Sequence, residues 1–246
     1  PSTQGATDLF CEGDTVKWLK LVNTLRLKYY MMTGDGANFQ DIIATGNFIS
    51  TNEDDFQFQY GTSELQPDTR HPDYAADYTP SGANIYQSNW LMELMLNNND
   101  PRIRYYFYRQ VGETPGADGD PDEETLACSL EDPPQHYIDG GFTYCSVPNG
   151  YWGRSHGNDQ GTPPDNFERT AVGVYPAAGK FDDNDFAVDP EDPAFDGKVG
   201  LGKGGGGAGI EPIILSSYVY FWRAIMADND SDRSSFFTGA LERSIA

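Results

Sequence analysis

Between Gly112 and Gly209 the chain carries almost no sustained apolar periodicity, neither the recurrence of a helix nor the alternation of a strand. A structureless stretch of that length is unusual inside a compact domain and points to functional loops. It holds two acidic clusters, Asp118 to Glu124 and Asp182 to Asp196, and a glycine-rich run from Gly200 to Gly209. The run lacks the GK[ST] ending and basic charge of a phosphate loop, so it reads as a flexible connector.

The periodic segments flank this stretch. Asp14 to Gly34 is the clearest helix, with Trp18, Leu21, Val22, Leu25, Tyr29 and Met32 on one face and Lys17, Lys20, Thr24 and Lys28 on a solvated one. Asp14 or Thr15 can cap its first amides, and Gly34 supplies the stop. From Ala37 a short helix or extended piece leads to a strand in which Phe56, Phe58 and Tyr60 alternate with Gln57 and Gln59. Asp68 to Tyr78, punctuated by proline, reads as an ordered surface loop. A second helix is predicted from about Asn84 to Asn97, with Ile85, Trp90, Leu91, Leu94 and Met95 turned inward, ended by the run to Pro101. Arg102 to Val111 is compatible with helix or strand, with strand continuing from a short helical turn preferred. Ser216 to Ala227 is a third helix, whose Tyr218, Phe221, Trp222 and Ile225 form one aromatic face. Phe236 to Ala246 is amphipathic and is predicted to pack against it as an antiparallel partner across the Asp228 to Arg233 turn. Helical parts at 14–34 and 216–246 around a loop-rich part at about 50–210 make a mainly α chain with a large insertion and few short strands, read as a single region over 1–246.

Lys and Arg total 16 against 38 Asp and Glu, a formal net charge of −22, which excludes general binding to nucleic acids or other polyanions. With 38% hydrophobic residues the chain can bury a core, while its 27 Gly, 16 Pro and 15 Tyr fit a secreted or surface protein better than a cytosolic one. No stretch approaches the roughly 20 apolar residues that span a bilayer. Of the cysteines, Cys128 and Cys145 bracket a Pro-rich acidic loop, and a disulfide closing it in an oxidising compartment is worth ~3 kcal/mol in the chain-entropy model. Cys11 is left over.

Catalytic constellations are not evident. His71, His136 and His156 are scattered without HExxH spacing, no GxSxG elbow occurs, and no pair of carboxylates is singled out for glycoside hydrolysis. An enzyme is therefore not expected. Asp118, Asp120 and Asp122 have the alternate spacing of a calcium loop, but Glu123 stands where a glycine belongs and Ser129 where a bidentate Glu belongs. Calcium is the one cofactor this suggests, a solvated acidic loop being the alternative; Asp182, Asp183 and Asp185 are a weaker candidate. The segment Gly150 to Pro163, GYWGRSHGNDQGTP, is the most suggestive. Tyr151 and Trp152 offer flat apolar faces, and Arg154, His156, Asn158, Asp159 and Gln160 offer hydrogen-bonding groups among glycines, the combination that recognises sugars. The alternative is that Trp152 plugs a core. Arg70, His71 and Tyr74 form a smaller cluster of the same kind, where Arg70 can equally tie down backbone.

Taken in order, KWLKLVNTLRLKYYMM, PDTRHPDYAADY, NDPRIRYYFYRQ, GYWGRSHG, GVYPAAGKFDD and SSYVYFWRAIMA resemble the SusD/RagB-like family of Bacteroidetes outer-membrane lipoproteins, over about Asp8 to Ala246. The resemblance implies a tetratricopeptide-like helical body with long ligand-facing loops. It also implies a cell-surface nutrient-binding protein that lids a SusC-like TonB-dependent barrel and hands it oligosaccharide or, in some members, peptide. Membrane attachment would run only through a lipid anchor, which Cys11 does not match, and the chain reads as an internal piece of such a protein. The family's ligand residues vary, so Tyr74, Tyr151, Trp152, Arg154 and His156 are expected binding residues on their chemistry alone. The rival classes are an extracellular hydrolase and a calcium-stabilised scaffold module.

Overall fold

The computed structural model describes residues 8–112, 132–141, 144, 147–155, 166–183 and 205–229. The chain divides into two compact units, Pro1–Gln59 with Glu211–Ala246, and Tyr60–Ile210.

The first unit is helical. Helix α1 spans Thr15–Thr33 and α2 spans Gly36–Thr45. Asp14 caps α1 by accepting the amides of Val16 and Lys17 at 2.7 and 3.3 Å. Gly34, in the left-handed region at φ +71°, ends it, and Asp35 donates back to the Tyr30 carbonyl at 2.9 Å while its side chain caps α2. A two-residue link thus makes a helix pair. Strand β1, Phe56–Gln59, pairs with β4, Ile210–Ile214, and α7, Ser216–Asn229, follows directly. Asp55 accepts the Ser216 amide at 2.5 Å and so caps α7 from a distant part of the chain; burial pushes its carboxyl up in pKa, against the pull of the Ser216 bonds. Leu27, Phe39, Ile42, Phe48, Val219 and Met226 form the main apolar cluster, and Leu21, Ile49 and Ile214 form a second.

The face of α1 differs from the expected one. Leu21, Thr24 and Leu27 are buried, whereas Trp18, Val22, Leu25, Tyr29 and Met32 are exposed, Met32 by 72%. Thr24 fits the buried face because its hydroxyl is fully satisfied: it donates to the Lys20 carbonyl at 2.7 Å and accepts the Ile49 amide at 2.9 Å. Asn23 adds a bond to the Asn47 carbonyl at 2.8 Å. Polar residues of α1 therefore clip the 47–49 segment. Lys20, expected on a solvated stripe, pairs with Asp54 at 2.6 Å.

The second unit has short elements: α3 (Pro72–Asp77), α4 (Asn89–Asn97), α5 (Ile103–Tyr106), β2 (Phe107–Tyr108), α6 (Gln135–Gly140) and β3 (Ala171–Val172), with β2 and β3 antiparallel. Three expectations are corrected here. The 68–78 loop contains a helix, because Pro72 is preset for the first turn and the His71 ring nitrogen accepts the Asp73 amide at 3.2 Å. The second helix starts at Asn89 and not near Asn84, because Asp77 holds the Asn84 and Ile85 amides at 3.2 and 2.8 Å and so keeps that stretch extended. Its buried side is Asn89, Met92 and Met95, leaving Trp90, Leu91 and Leu94 exposed. The described end of the glycine run is packed and not a free connector. A side chain on Gly207 would strike Tyr74 and Arg70, one on Gly209 the Pro176 carbonyl, and the Gly207 carbonyl accepts the His71 amide at 2.8 Å. No helix among the described residues is long and apolar enough to cross a membrane.

Candidate functional site

The segment 147–155 is a clamp before it is a surface. Gly150 turns the chain at φ +77°, where any side chain would collide with the Val111 carbonyl. Trp152 exchanges bonds with Thr170, its amide donating to the Thr170 hydroxyl and its carbonyl accepting the Thr170 amide, both at 2.8 Å. Gly153 lies so close to Gln87 and Asn89 that only hydrogen fits, and the chain then bridges to the start of α4. The Arg154 amide donates to the Gln87 carbonyl at 2.8 Å and its carbonyl accepts the Asn89 amide at 3.2 Å.

This geometry settles where the expected binding residues stand. Trp152 is 2% exposed and Tyr151 is buried. A sugar stacks on a ring face that solvent can reach, and in this structure neither residue presents one. Trp152 is held by backbone bonds at its own residue, and Tyr151 packs in the cluster of Met92, Met95, Ile103, Phe107 and Val147. Burial raises the Tyr151 phenol pKa, opposed by the Arg109 guanidinium 4.8 Å from its ring centre. Arg109 is itself buried and forks onto Asp182 at 2.6 and 3.1 Å, while a third nitrogen reaches the Asn149 carbonyl at 2.8 Å. Asp182 is thus held in a buried ion pair in this structure.

Arg154 remains accessible. Its guanidinium carbon lies 4.2 Å from the centre of the Tyr86 ring, and that of Arg169 lies 3.9 Å from the same ring. Arg169 is buried and bonds the Ala83 and Asn84 carbonyls, so it fixes Tyr86 from below the surface. Both Tyr86 and Arg154 are half-buried, and Trp90, in the first turn of α4 beside the Asn89 amide that bonds Arg154, is 53% exposed. Trp90 thus supplies an exposed aromatic ring and Arg154 a planar donor, while the Tyr86 ring lies against the guanidinium groups of Arg154 and Arg169. Sequence reasoning missed Tyr86 and turned Trp90 inward. The signal for the true helix start was Ser88, a good capping residue whose hydroxyl accepts the Leu91 amide at 3.4 Å.

Tyr74 belongs to a different cluster. It stacks on Tyr78 with ring centres 4.4 Å apart and planes 12° apart, under Arg70 and against Gly207. Arg70 grips the Asp68 carboxylate through two nitrogens at 3.1 and 2.8 Å. Tyr78 donates its hydroxyl to the Val172 carbonyl at 2.7 Å and accepts the Lys180 amide at 2.6 Å; burial raises its pKa and that of Tyr74. His156, Asp118, Asp120, Asp122, Asp185, Cys128 and Cys145 lie outside the described residues. Among the described residues no three His, Cys, Asp or Glu side chains are grouped to hold a metal, and Cys11 is a free thiol.

No curated protein sequence matches the chain. Two solved structures similar to it are a chitin-binding SusD homolog from Flavobacterium johnsoniae and a protein titled Bacteroidetes AC2a SusD-like. The first is 17% identical, with 91% of this chain and 33% of that chain covered and a TM-score of 0.48. The second is 17% identical, with 96% and 48% covered and a TM-score of 0.45. The chain thus spans between a third and a half of their length. A family profile matches residues 2–130, more than half of the chain, and on that match the chain belongs to the SusD-like family described as starch-binding and associating with the outer membrane.

Proposed function

We propose that the protein containing this chain is a non-enzymatic cell-surface binder that captures a glycan and passes it to a SusC-like TonB-dependent barrel in the outer membrane. The family match over residues 2–130, whose description joins starch binding to outer-membrane association, carries this reading. The surface of the second unit supports it: the exposed Trp90 ring offers a face for C–H stacking, and the half-buried Arg154 guanidinium offers bonds to hydroxyls. Arg154 is kept from the sequence reading, His156 follows it in the chain by two residues, and Tyr74 is a separate secondary contact. Trp152 and Tyr151 act by holding this segment in place.

A pull-down of the full-length protein from native outer membranes tests the uptake role. A stoichiometric TonB-dependent barrel is expected. The protein coming down alone, with glycan arrays silent as well, overturns the proposal in favour of a scaffold role.

A further inference from the structure

Arginine is a long side chain with much rotamer freedom to lose, so one that meets a ligand binds best when the protein has already ordered it. Arg154 is ordered at both ends. Its backbone lies against the residues that follow Tyr86, the amide donating to the Gln87 carbonyl at 2.8 Å and the carbonyl accepting the Asn89 amide at 3.2 Å. Its guanidinium carbon lies 4.2 Å from the centre of the Tyr86 ring, close for a cation–π contact.

The Tyr86 ring is in turn fixed from the protein side. Arg169, 3% exposed, lies 3.9 Å from the ring centre and is itself held by bonds to the Ala83 and Asn84 carbonyls at 3.4 and 3.1 Å. Asp77 accepts the Asn84 and Ile85 amides, which pins the chain leading into Tyr86. Of the two guanidinium groups on this ring, that of Arg169 is buried and that of Arg154 is the outer one, so the first is a support and the second is placed to meet a ligand. A ring held in this way limits where the outer guanidinium can lie, and the rigid planar fork carries that limit to its donors.

We propose that Tyr86 is a positioning residue for ligand binding: without touching the sugar, its ring holds the Arg154 guanidinium in the orientation that donates to sugar hydroxyls. The proposal rests on the glycan-binding reading of Arg154. It assigns the effect to the ring and not to the phenol hydroxyl, and Tyr86 acts only through Arg154.

Calorimetric titration of the full-length protein with starch- and chitin-derived oligosaccharides, joined to NMR of the arginine Nε–H groups, tests this. Tyr86→Leu is expected to weaken binding roughly fivefold or more and to move the Arg154 Nε–H resonance toward the free-arginine position. Tyr86→Phe, which keeps the ring, recovers most of the affinity and of the resonance shift. In an Arg154→Ala background Tyr86→Leu weakens binding by less than about twofold further, the non-additivity of groups that act as one. Unchanged amide exchange at Trp152 and Thr170 shows that the clamp beside Arg154 is folded in each variant. The parent protein alone gives a further check: its Arg154 Nε–H resonance is expected away from the free-arginine position, and a resonance at that position overturns the proposal. So do parent-like binding by Tyr86→Leu, a loss in Tyr86→Phe as large as in Tyr86→Leu, and an equal loss from Tyr86→Leu with and without Arg154. No binding of either oligosaccharide by the parent protein is a different failure, that of the glycan reading itself, and it takes this proposal with it.

Discussion

The two units of this chain are stabilised by different means. The first is an assembly of periodic helices around Leu27, Phe39, Ile42, Phe48, Val219 and Met226, with side-chain caps at the helix starts and a few polar clips that join its elements. The second has its own apolar cluster of Met92, Met95, Ile103, Phe107, Val147 and Tyr151, but its loops are tied by side chains that reach backbone or charge far along the chain. Asp77 accepts the amides of Asn84, Ile85 and Val172, and Gln110 donates to the Asn166 and Arg169 carbonyls at 2.7 and 2.6 Å. Arg109 meets Asp182 across 73 residues. A loop-rich unit cannot satisfy its backbone through helix and sheet ladders, so polar side chains do it instead.

The largest test of this contrast is Arg109→Ala. It strands the buried Asp182 carboxylate and is expected to cost ~3–5 kcal/mol, read as a drop in denaturant midpoint. Trp152→Ala comes next at ~3–5 kcal/mol by cavity formation, and it is expected to reduce stability rather than ligand contact. In the first unit Leu27→Ala is expected to cost ~2–5 kcal/mol, and Thr24→Val a smaller ~1–3 kcal/mol because the buried Ile49 amide loses its acceptor. If Thr24→Val proves neutral, polar clips do not matter in the first unit and the contrast sharpens. If Arg109→Ala proves neutral, the contrast breaks.

The smallest effect concerns the start of the described chain. The Trp18 indole and the amides of Phe10, Cys11 and Gly13 all donate to Asp8, and the indole bond chiefly pulls its carboxyl down to about 2. A depressed carboxyl contributes stability that is full above its unfolded value near 3.8 and lost as pH falls through about 2. The Trp18 indole proton resonance is therefore expected to shift over that window, and Asp8→Asn to abolish the shift.

What was legible in the sequence follows the same division. The caps at Asp14 and Gly34, the α7 segment and the loop-rich middle all act within a few residues of their own position, and pattern reading found them. The inward face of α1 was misread because Thr24 looks polar until its partner Ile49 is known. The start of α4 was misplaced because Asp77, the last residue of α3, holds the amides of Asn84 and Ile85 seven and eight residues further on. At the candidate site, Gly150 and Gly153 were noticed as glycines that let the backbone approach closely, and the structure shows close approach to Val111 and Gln87. Tyr86 carried no signal in sequence, since the guanidinium groups that frame it come from Arg154 and Arg169.

The most direct test of the account is a calorimetric titration of the full-length protein with starch- and chitin-derived oligosaccharides, in parallel with its Arg154→Ala, Trp90→Ala and Trp152→Phe variants. Saturable binding to a glycan, weakened tenfold or more by Arg154→Ala and Trp90→Ala and little changed by Trp152→Phe, is the predicted result. Glycan binding that survives loss of Arg154 and Trp90 but fails on Trp152→Phe in a folded protein would contradict it.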